Sequence, residues 1–398
     1  MSRVLFITSK PCCLWTGASR RTCHILEALV ALGHKVDLVT VPSSSPFRVQ
    51  GVTVHLAPRL PFCMSLPDGV SLRRGILDLL MLFKVIFLMR RSRYDIIHGV
   101  DDCGVVAWLA AVMTKKPYVY DIQSRAQDER AVWFRCWTRK AAAFLSRLAL
   151  RYASVVIGEN PDAIAVLSQQ GRSARACVIP NIPALTGKVP MPSLNFARAR
   201  YGVAIRPDAV VPPKVVTCVG GRDHFRGLTM FFNAMPYVLH EIPDVRFVAV
   251  GGTSAEVEQM REALAQAGVT SPAVTLTGCL SPEELTALLT VSDILVAPCR
   301  TDEAVPIKVL DYLHMAKPIV VVSAGFSRTL FSNHNAVVVD ASHEALAQGI
   351  LQLCRNPQLA ERLAKKGHET LLVQHRTPEA FREVLRQCYT YGMSGGEA

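Results

Sequence analysis

The segment from Ala297 to Val322 places the strongest limit on what this chain can fold into. It begins where a short apolar run, Ile294 to Ala297, ends, and such a run is typical of a buried parallel strand. Pro306 stands where the first turn of a helix tolerates a missing N–H, so we expect a helix to begin near this residue. A second strand should follow the helix and end at Val322. Strand, loop, helix and strand in this order are typical of a parallel α/β sheet.

Two carboxylates in this segment are eight positions apart. Glu303 lies in the expected loop and Asp311 lies inside the expected helix, so the two can flank a ligand docked against the helix start. The free backbone N–H groups at a helix start carry partial positive charge and suit a phosphate. A pyrophosphate with a sugar on one side and a ribose on the other would fit this arrangement. The alternative is that both acids only solvate the surface of the fold.

The residues from Glu303 to Asp311, followed by Met315-Ala-Lys-Pro-Ile-Val, resemble the E-x7-E signature of GT-B glycosyltransferases of the GT4 type, also described as glycosyl transferases group 1. The resemblance implies that the first acid contacts the donor sugar and the second the nucleotide ribose, with Ala304 and Val305 in the same donor site. The second acid is an aspartate here, one methylene shorter than the glutamate of the signature. The implied fold is α/β and GT-B, with two Rossmann-like domains facing a central cleft.

The N-terminal region has its own strand, helix and strand, over Val4 to Thr8, Thr16 to Leu32 and Lys35 to Thr40. This order makes a βαβ unit with its ligand edge at the carboxyl ends of the strands. Gly17 stands at the helix entry, where a missing side chain lets a ligand approach. The resemblance places this turn beside the acceptor and the donor phosphates, and a simple turn glycine is the alternative.

Two further segments carry candidate catalytic residues. Asp95 to Val100 resembles the D-hydrophobic-hydrophobic-H strand of the GT4 type, and Tyr118 to Gln123 resembles a strand that the family often ends with histidine. The resemblance places the histidine position, here Gln123, near the reacting centre, although a glutamine cannot take up a proton. Asp121 stands at the same strand end, where it can orient an acceptor hydroxyl or serve as a cap or turn residue. Together with Glu303, these two residues are the candidate catalytic set.

A glycine-rich turn opens the C-terminal half. After a strand over Lys214 to Val219, the stretch Gly220 to Gly227 contains Arg222 and Arg226. Two guanidiniums can neutralise a diphosphate and stabilise the charge that develops as it departs. The stretch resembles the G-R…K-G segment that grips the donor phosphates in the family, with an arginine in place of the lysine. A charged turn without a ligand is the alternative.

Val274 to Ser281 resembles the family segment whose backbone contacts the nucleotide base, which assigns Gly278 and Cys279 to the donor site. Helices are expected near the C-terminus over His343 to Asn356, Pro357 to His368 and Pro378 to Tyr389. The proline-rich stretch 183–213 is interpreted as a linker, with the boundary near residue 185. We therefore expect an acceptor-binding Rossmann-like domain over 1–185, a nucleotide-sugar-binding one over 186–375, and a C-terminal helix over 376–398, which in GT-B folds often crosses back to the first domain.

The net charge of +12 lies in the N-terminal half, because residues 1–186 hold 24 Lys plus Arg against 12 Asp plus Glu and the remainder holds 20 of each. This asymmetry indicates an anionic partner for that half: anionic lipid, an acidic or phosphate-bearing acceptor, or nucleic acid.

The most apolar stretch, Ile76 to Met89, is too short to span a bilayer and is expected either in the core or in a membrane interface. Aromatic and basic residues interleave within Arg125 to Arg151, which favours the interface. Nucleic acid ranks below lipid because no nucleic-acid fold signature accompanies these residues.

The start MSRVLFIT is not followed by a long apolar run and a small-residue cleavage site, so no secretory signal is expected. The twelve cysteines form no C-x-x-C pair, which argues for reduced, mostly packed thiols rather than a disulfide framework or a zinc site. These features predict a cytoplasmic protein, peripheral on the inner face of the membrane if the basic helix binds lipid.

These observations predict a retaining glycosyltransferase that moves a sugar from a nucleotide-sugar donor to an acceptor in glycolipid, polysaccharide or other glycoconjugate synthesis. Retention of the anomeric configuration is implied by the resemblance. No cofactor and no metal is expected, because arginine side chains and helix N–H groups can carry the charge of the leaving diphosphate. The alternatives are a nucleotide-sugar epimerase, a donor-binding protein without turnover, and a basic lipid- or nucleic-acid-binding module.

Overall fold

A computed structural model of the protein describes residues 1–9, 17–42, 49–58, 72–123, 136–161, 164–165, 176–185, 197, 199, 213–220, 225–269, 273–298, 305–323 and 330–394. For residues 72–74, 136–143 and 225–226 it describes the helical backbone only. The chain divides into two compact units: unit 1 comprises Met1–Ile182 and Pro378–Ala398, and unit 2 comprises Pro183–Thr377.

Unit 1 is built on a seven-stranded parallel sheet with the order β3-β2-β1-β4-β5-β6-β7. Its strands are β1 (Arg3–Ile7), β2 (Lys35–Thr40), β3 (Val52–Leu56), β4 (Ile96–Val100), β5 (Tyr118–Ile122), β6 (Val155–Gly158) and β7 (Ala176–Val178). Every residue of β4 and β6 is buried. Such runs are typical of parallel strands that helices cover on both faces.

The helices of unit 1 are α1 (Gly17–Ala31), α2 (Leu72–Arg91), α3 (Cys103–Thr114), α4 (Cys136–Tyr152) and, at the end of the chain, α11 (Pro378–Met393). One core lies between the sheet and the pair α1 and α11, and contains Ile25, Leu29 and Phe381. A second core lies between the opposite face of the sheet and α2, α3 and α4, and contains Met81 and Ala107. The last helix of the chain therefore packs in unit 1, although all of unit 2 precedes it in the sequence.

Unit 2 contains a six-stranded parallel sheet with the order β10-β9-β8-β11-β12-β13. Its strands are β8 (Val215–Val219), β9 (Arg246–Val250), β10 (Val274–Leu276), β11 (Ile294–Ala297), β12 (Ile319–Val322) and β13 (Val337–Val339). Its helices are α5 (Phe225–Glu241), α6 (Ser254–Gln266), α7 (Pro282–Val291), α8 (Ile307–His314), α9 (His343–Arg355) and α10 (Pro357–Val373).

Local sequence signals explain where several helices of unit 2 begin. Thr253 and Glu256 form a capping box at the start of α6, and Ser281 and Glu284 form another at the start of α7. Pro306 occupies the N-cap position of α8, which confirms the expected helix start. The predicted α/β fold with two Rossmann-like sheets is confirmed as well.

The cysteine prediction needs correction at one pair. A disulfide joins Cys177 on β7 to Cys388 on α11, within unit 1. The two residues are 211 positions apart in the sequence, so no local spacing could reveal the pair. They meet because the last helix returns to the sheet of unit 1. Among the described residues, five further cysteines are not joined in a disulfide: Cys23, Cys103, Cys218, Cys279 and Cys354.

The apolar stretch Ile76 to Met89 lies within α2, where one side packs into the core and the other is exposed. None of the helices in the described ranges combines the length and the apolarity needed to cross a bilayer.

Candidate functional site

The sheet of unit 2 has its switch of strand order between β8 and β11. From β8 the chain proceeds outward to β9 and β10, and from β11 it proceeds in the opposite direction to β12 and β13. In open parallel sheets a crevice for ligands forms where the connections from two neighbouring strands diverge, at the carboxyl ends of those strands. In this unit that position is the edge at Val219 and Ala297.

The start of α5 lies against the end of β11. A Cβ added at Gly227, in the first turn of α5, would collide with the carbonyl oxygen of Pro298. Only a glycine permits this approach, so the first turn of α5 and the residue after β11 are held side by side. The sequence identified Gly227 as part of a glycine-rich turn but gave no reason for its position.

Two side chains of α8 hold the end of β8, and sequence reasoning did not identify either of them. Lys308 donates from Nζ to the carbonyl oxygen of Val219 at 2.8 Å, and the hydroxyl of Tyr312 accepts from the N–H of Val219 at 2.7 Å. The two side chains are four residues apart and therefore lie on one face of the helix. In the sequence, this four-residue spacing was the signal that could have identified the two side chains. The end of β8, which directly precedes Gly220, is thus hydrogen-bonded to α8.

Asp311 lies inside α8 and is only 4% exposed. Its Oδ1 accepts hydrogen bonds from the backbone N–H groups of Ala184 at 2.6 Å and Leu185 at 3.0 Å. The resemblance implied a contact between this carboxylate and the nucleotide ribose. In the structure, one carboxylate oxygen binds the backbone of the first residues of unit 2. Val305, just before α8, is nearly buried.

The turns after β9 and β10 meet through glycine backbone. Gly251 and Gly278 form an isolated antiparallel bridge, in which the N–H of Gly251 donates to the carbonyl oxygen of Gly278 at 2.8 Å. Gly278 has φ +67° and Gly252 has φ +90°, which are conformations that residues with a Cβ rarely adopt. Cys279 is exposed, and its Sγ donates to the carbonyl oxygen of Gly252 at 3.4 Å. The two predicted base neighbours therefore lie at the carboxyl edge of the sheet.

Four of the predicted donor residues cannot be placed in the same way. Arg222, Glu303 and Ala304 lie outside the described residues, and so does the side chain of Arg226, whose backbone begins α5. In the sequence, however, they follow directly on the ends of β8 and β11.

The sheet of unit 1 has its switch of strand order between β1 and β4. Gly17 is the first residue of α1, the helix that follows β1, and it is exposed. Among the described residues, no atom lies within 4 Å of the position that a Cβ would take at Gly17, so their packing does not require a glycine there.

Gln123 follows β5 at the same edge of unit 1, and hydrogen bonds hold both its side chain and its backbone. Its Nε2 donates to Asp121 Oδ2 at 2.7 Å, and its Oε1 accepts from the Thr22 hydroxyl at 3.4 Å. Its backbone N–H donates to Asp101 Oδ1 at 2.8 Å. Asp101 itself has φ +48°, a conformation that costs energy for a residue other than glycine. The amide of Gln123 is thus oriented in advance, while its side chain stays partly exposed.

Asp121 is fully buried, and a buried arginine balances its charge. Arg21 on α1 is 1% exposed and lies 3.7 Å from Asp121 Oδ1 and 3.8 Å from Glu159 Oε1. Burial alone would raise the pKa of Asp121. The Arg21 guanidinium, the nearby His98 ring and a hydrogen bond from Gln123 outweigh burial, so the pKa of Asp121 lies below its usual value. Asp121 therefore remains a carboxylate that directs Gln123, and its burial keeps an acceptor hydroxyl from reaching it.

His98 on β4 links this network to the last helix. Its Nδ1 lies 2.7 Å from the hydroxyl of Tyr389 on α11, and its Nε2 lies 3.6 Å from Asp121 Oδ2. Burial, and next the charge of Asp121, raise the pKa of Tyr389 well above its usual value, so the hydroxyl stays protonated. If that hydroxyl donates to Nδ1, the imidazole proton is on Nε2 and faces Asp121. The histidine of the D-hydrophobic-hydrophobic-H strand therefore belongs to the core.

Among the described residues, no group of three or more His, Cys, Asp or Glu side chains has the arrangement of a metal site. The described parts of the chain instead supply two glycine-bearing sheet edges, a fixed amide at the edge of unit 1, and a rigid strand end beside two helix starts in unit 2. Such an edge in unit 2 is suited to binding a phosphate-bearing ligand.

Comparison with known proteins gave matches in both units. Residues 16–182 match the family described as Glycosyl transferase 4-like domain, and residues 213–356 match the family described as Glycosyl transferases group 1. No match was found among curated protein sequences.

Several solved structures have similar folds. Sucrose-phosphate synthase (tll1590) from Thermosynechococcus elongatus has a TM-score of 0.76 and 20% identity, with 98% of each chain covered. Anabaena Alr3699/HepE, solved in complex with UDP-glucose, has a TM-score of 0.70 and 16% identity over 98% of this chain and 100% of that chain. A UDP-N-acetylglucosamine 2-epimerase is less similar, with a TM-score of 0.57 and 12% identity over 92% of this chain and 90% of that chain.

The two family matches cover most of the chain, each within one unit, and the similarity to sucrose-phosphate synthase extends over nearly the whole of both chains. The chain therefore combines a Glycosyl transferase 4-like domain with a Glycosyl transferases group 1 domain and has the fold of GT-B glycosyltransferases.

Proposed function

We propose that this glycosyltransferase transfers a sugar from a nucleotide-sugar donor to an acceptor with retention of the anomeric configuration. The observation that carries the proposal is the edge of unit 2 at β8 and β11. There Lys308 and Tyr312 fix the end of β8, and Gly227 brings the start of α5 against the residue after β11. In the sequence, Arg222, Arg226 and Glu303 follow these two strand ends.

We assign the donor diphosphate to Arg222 and Arg226 and the donor sugar to Glu303. Two guanidiniums near the start of a helix can stabilise the negative charge that develops as the diphosphate leaves. This role does not require a metal ion. Ala304 and Val305 then line the sugar site, and the backbone of Gly278 and Cys279 faces the base.

We propose front-face displacement as the mechanism. The acceptor oxygen bonds to the anomeric carbon as the bond to the diphosphate breaks, and the hydroxyl proton passes to the leaving diphosphate. A double displacement would need a carboxylate nucleophile opposite the anomeric carbon, and the sequence offers no clear one. In unit 1, Gln123 would hydrogen-bond the donor sugar or the acceptor, and Gly17 would give them access to the start of α1.

The acceptor is proposed to be anionic or lipid-linked, as in glycolipid, polysaccharide or other glycoconjugate synthesis. The support is the excess positive charge of residues 1–186, which the C-terminal half does not share.

The site assignment is tested with Glu303→Ala and Arg226→Ala. We expect both variants to lose transfer while keeping the thermal unfolding transition of the unaltered protein. Matched controls are Glu262→Ala and Arg362→Ala, which remove the same charges from exposed positions on α6 and α10. Full activity in either site variant would refute the assignment.

The donor is identified by a thermal-shift screen of nucleotide sugars. UDP-sugars come first, because the structures of Alr3699/HepE hold UDP-glucose and UDP. A donor present at about 100 times its dissociation constant should add about 2.7 kcal/mol to the free energy of unfolding.

A nucleotide-sugar epimerase is the second candidate, because structures of such enzymes share the fold at lower similarity. Product analysis with and without acceptor separates the two functions. An epimerase converts the donor in the absence of any acceptor, whereas a transferase needs one. A protein that binds a donor but releases no sugar under either condition would be a binding protein without turnover.

A further inference from the structure

The helices on one face of unit 1 expose large apolar side chains that do not contribute to the core. On α2 one stripe, Leu77, Met81, Val85 and Leu88, is buried, while Phe83 on the opposite side is 62% exposed. Helices α3 and α4 cover the same face of the sheet. We call the exposed apolar residues of these three helices the outer helical face: Ile76, Leu79, Phe83, Phe87, Val112, Met113, Phe144, Leu145 and Tyr152.

The outer helical face extends over three helices that are neighbours in the structure. Helix α3 packs against both α2 and α4. Val112 of α3 and Tyr152 of α4 line one open cavity of about 390 Å³, together with Trp108 and Lys116. The exposed apolar residues therefore lie on three neighbouring helices, whereas the apolar residues of an ordinary surface are scattered singly.

The same three helices carry a strongly one-sided charge. Between them they contain one acidic residue, Asp78, which is half-buried. Exposed basic residues accompany the apolar ones, on the helices at Arg90, Arg91, Arg147 and Arg151 and just after the helix ends at Arg93 and Lys115. The guanidinium of Arg91 lies 4.3 Å from the centre of the Phe87 ring, and Lys84 Nζ lies 5.9 Å from it. Basic and aromatic groups thus share one surface.

On several other helices, exposed basic residues form ion pairs with acids of the same helix. Arg382 and Arg386 of α11 form ion pairs with Glu379 and Glu383, three residues earlier. Within the described ranges, Arg90, Arg91, Arg93, Lys115 and Arg147 make no ion pair at all. An ordinary solvated face would resemble α11, so the unpaired charge on the outer helical face indicates an anionic partner.

We propose that the outer helical face of unit 1 binds the surface of a lipid bilayer that contains anionic lipids. The apolar side chains would enter the interface between headgroups and acyl chains, with α2 lying parallel to the membrane plane. The basic side chains would contact lipid phosphates, and the aromatic rings would lie at headgroup level. This binding does not involve the nucleotide-sugar site and stands whether or not transfer is demonstrated.

A bilayer fits this face better than the other partners do. A second copy of the chain would bring two basic faces together, which like-charge repulsion disfavours. Nucleic acid would satisfy the basic and aromatic residues but offers nothing comparable to the acyl region for Leu79, Val112, Met113 and Leu145. An anionic bilayer provides both a charged surface and an apolar layer.

The test is co-sedimentation of the full chain with vesicles of phosphatidylcholine alone and of phosphatidylcholine with phosphatidylglycerol in equal amounts. We expect binding to the mixed vesicles only, and weaker binding at higher salt. The double variant Arg90→Glu/Arg91→Glu should bind at least about tenfold more weakly, because each basic residue near an anionic surface contributes roughly fivefold. Phe83→Gln/Phe87→Gln should also bind more weakly.

Two control variants keep the result specific to this face. Arg382→Glu/Arg386→Glu makes the same charge change on α11, at the opposite face of the sheet, and Leu372→Gln/Val373→Gln makes a similar apolar change on α10 in unit 2. Both should bind as the unaltered protein does, and all variants should keep its circular dichroism. The proposal is overturned if the mixed vesicles fail to bind the protein, if the α11 variant loses as much binding as the α2 variant, or if polyuridylate binds while vesicles do not.

Discussion

At the scale of single residues, hydrogen bonds to three other residues fix the position of Gln123 in unit 1. Asp121, Thr22 and Asp101 fix its side chain and its backbone, and Asp121 in turn depends on buried Arg21. An amide fixed in this way can direct its remaining hydrogen-bonding capacity at a substrate without losing side-chain entropy on binding. Asp121 is therefore interpreted as a positioning residue that acts through Gln123.

Gln123→Leu keeps the size of the side chain and removes its polar atoms. We expect the transfer rate to fall by roughly tenfold to a hundredfold, which corresponds to losing about 1.4–2.7 kcal/mol of transition-state stabilisation from one unmade hydrogen bond. Unfolding should also become easier by about 1–3 kcal/mol, because Asp121 Oδ2 loses its buried donor. Initial rates and urea unfolding measure the two effects. An unchanged rate together with the expected loss of stability would make Gln123 a structural residue only.

Asp311 gives a second prediction for a single residue. Asp311→Ala leaves the backbone N–H groups of Ala184 and Leu185 without their acceptor, which should cost about 2–4 kcal/mol in the stability of unit 2. Asp311→Asn keeps an oxygen that can accept both bonds and should cost less than about 1 kcal/mol, a difference that chemical denaturation can resolve. If both variants instead kept their stability and lost nucleotide affinity, the ribose contact implied by the resemblance would be the better assignment.

At the scale of elements, the packing of α11 on α1 connects the end of the chain to the start. Phe381 of α11 lies edge-on to the ring of His24 on α1, with the ring centres 6.3 Å apart. Burial, and next the charges of Arg20 and Arg21, lower the pKa of His24 from 6.5 to about 3. The neutral imidazole is thus the form that the packed helices accept.

This shift predicts how acid affects unit 1. In the unfolded chain His24 takes up a proton as the pH falls through about 6.5, whereas the folded unit excludes the proton until about 3. The contribution of His24 to the free energy of unfolding should therefore be complete above about pH 6.5 and should be lost as the pH falls towards 3. At about pH 5 the free energy of unfolding should be lower by about 2 kcal/mol. In His24→Gln this part of the pH dependence should disappear. His240→Gln, at an exposed position on α5, is the control, and equal slopes in all three proteins would contradict the assignment.

At the scale of the whole molecule, unit 1 depends on both ends of the chain. The face of its sheet beneath α11 is covered by Phe381, Leu385, Cys388 and Tyr389, all at most 3% exposed. Burying four such side chains stabilises by on the order of 5–10 kcal/mol, which is comparable to the entire stability of a typical domain. The disulfide from Cys388 to Cys177 adds a covalent link at the same face.

A chain that ends at Thr377 should therefore lose the folded state of unit 1 and keep that of unit 2. Limited proteolysis with mass spectrometry should find cleavage throughout 1–182 and protection within 213–377. A chain that ends at Ser394, which keeps all of α11, is the matched control and should resist proteolysis as the full chain does. Protection of 1–182 in the shorter chain would show that α11 is dispensable.

The sequence by itself determined the elements and their order. Apolar runs, Pro306 and the alternation of strands and helices predicted two parallel α/β sheets, because these signals act over only a few residues. The E-x7-E resemblance gave the family. For the apolar and basic stretch of α2, the sequence predicted either a position in the core or one in a membrane interface. It could do so because the order of apolar and basic residues is a local property.

Only the tertiary structure decided which distant side chains meet. Asp311 with Ala184, His98 with Tyr389 and Cys177 with Cys388 are each more than a hundred positions apart. A buried polar group requires a partner, but any of many elements can supply it, so no local pattern identifies which one does. The contacts of Asp121 and Asp311 and the pairing of the disulfide therefore depend on tertiary packing, and the sequence alone could not predict them.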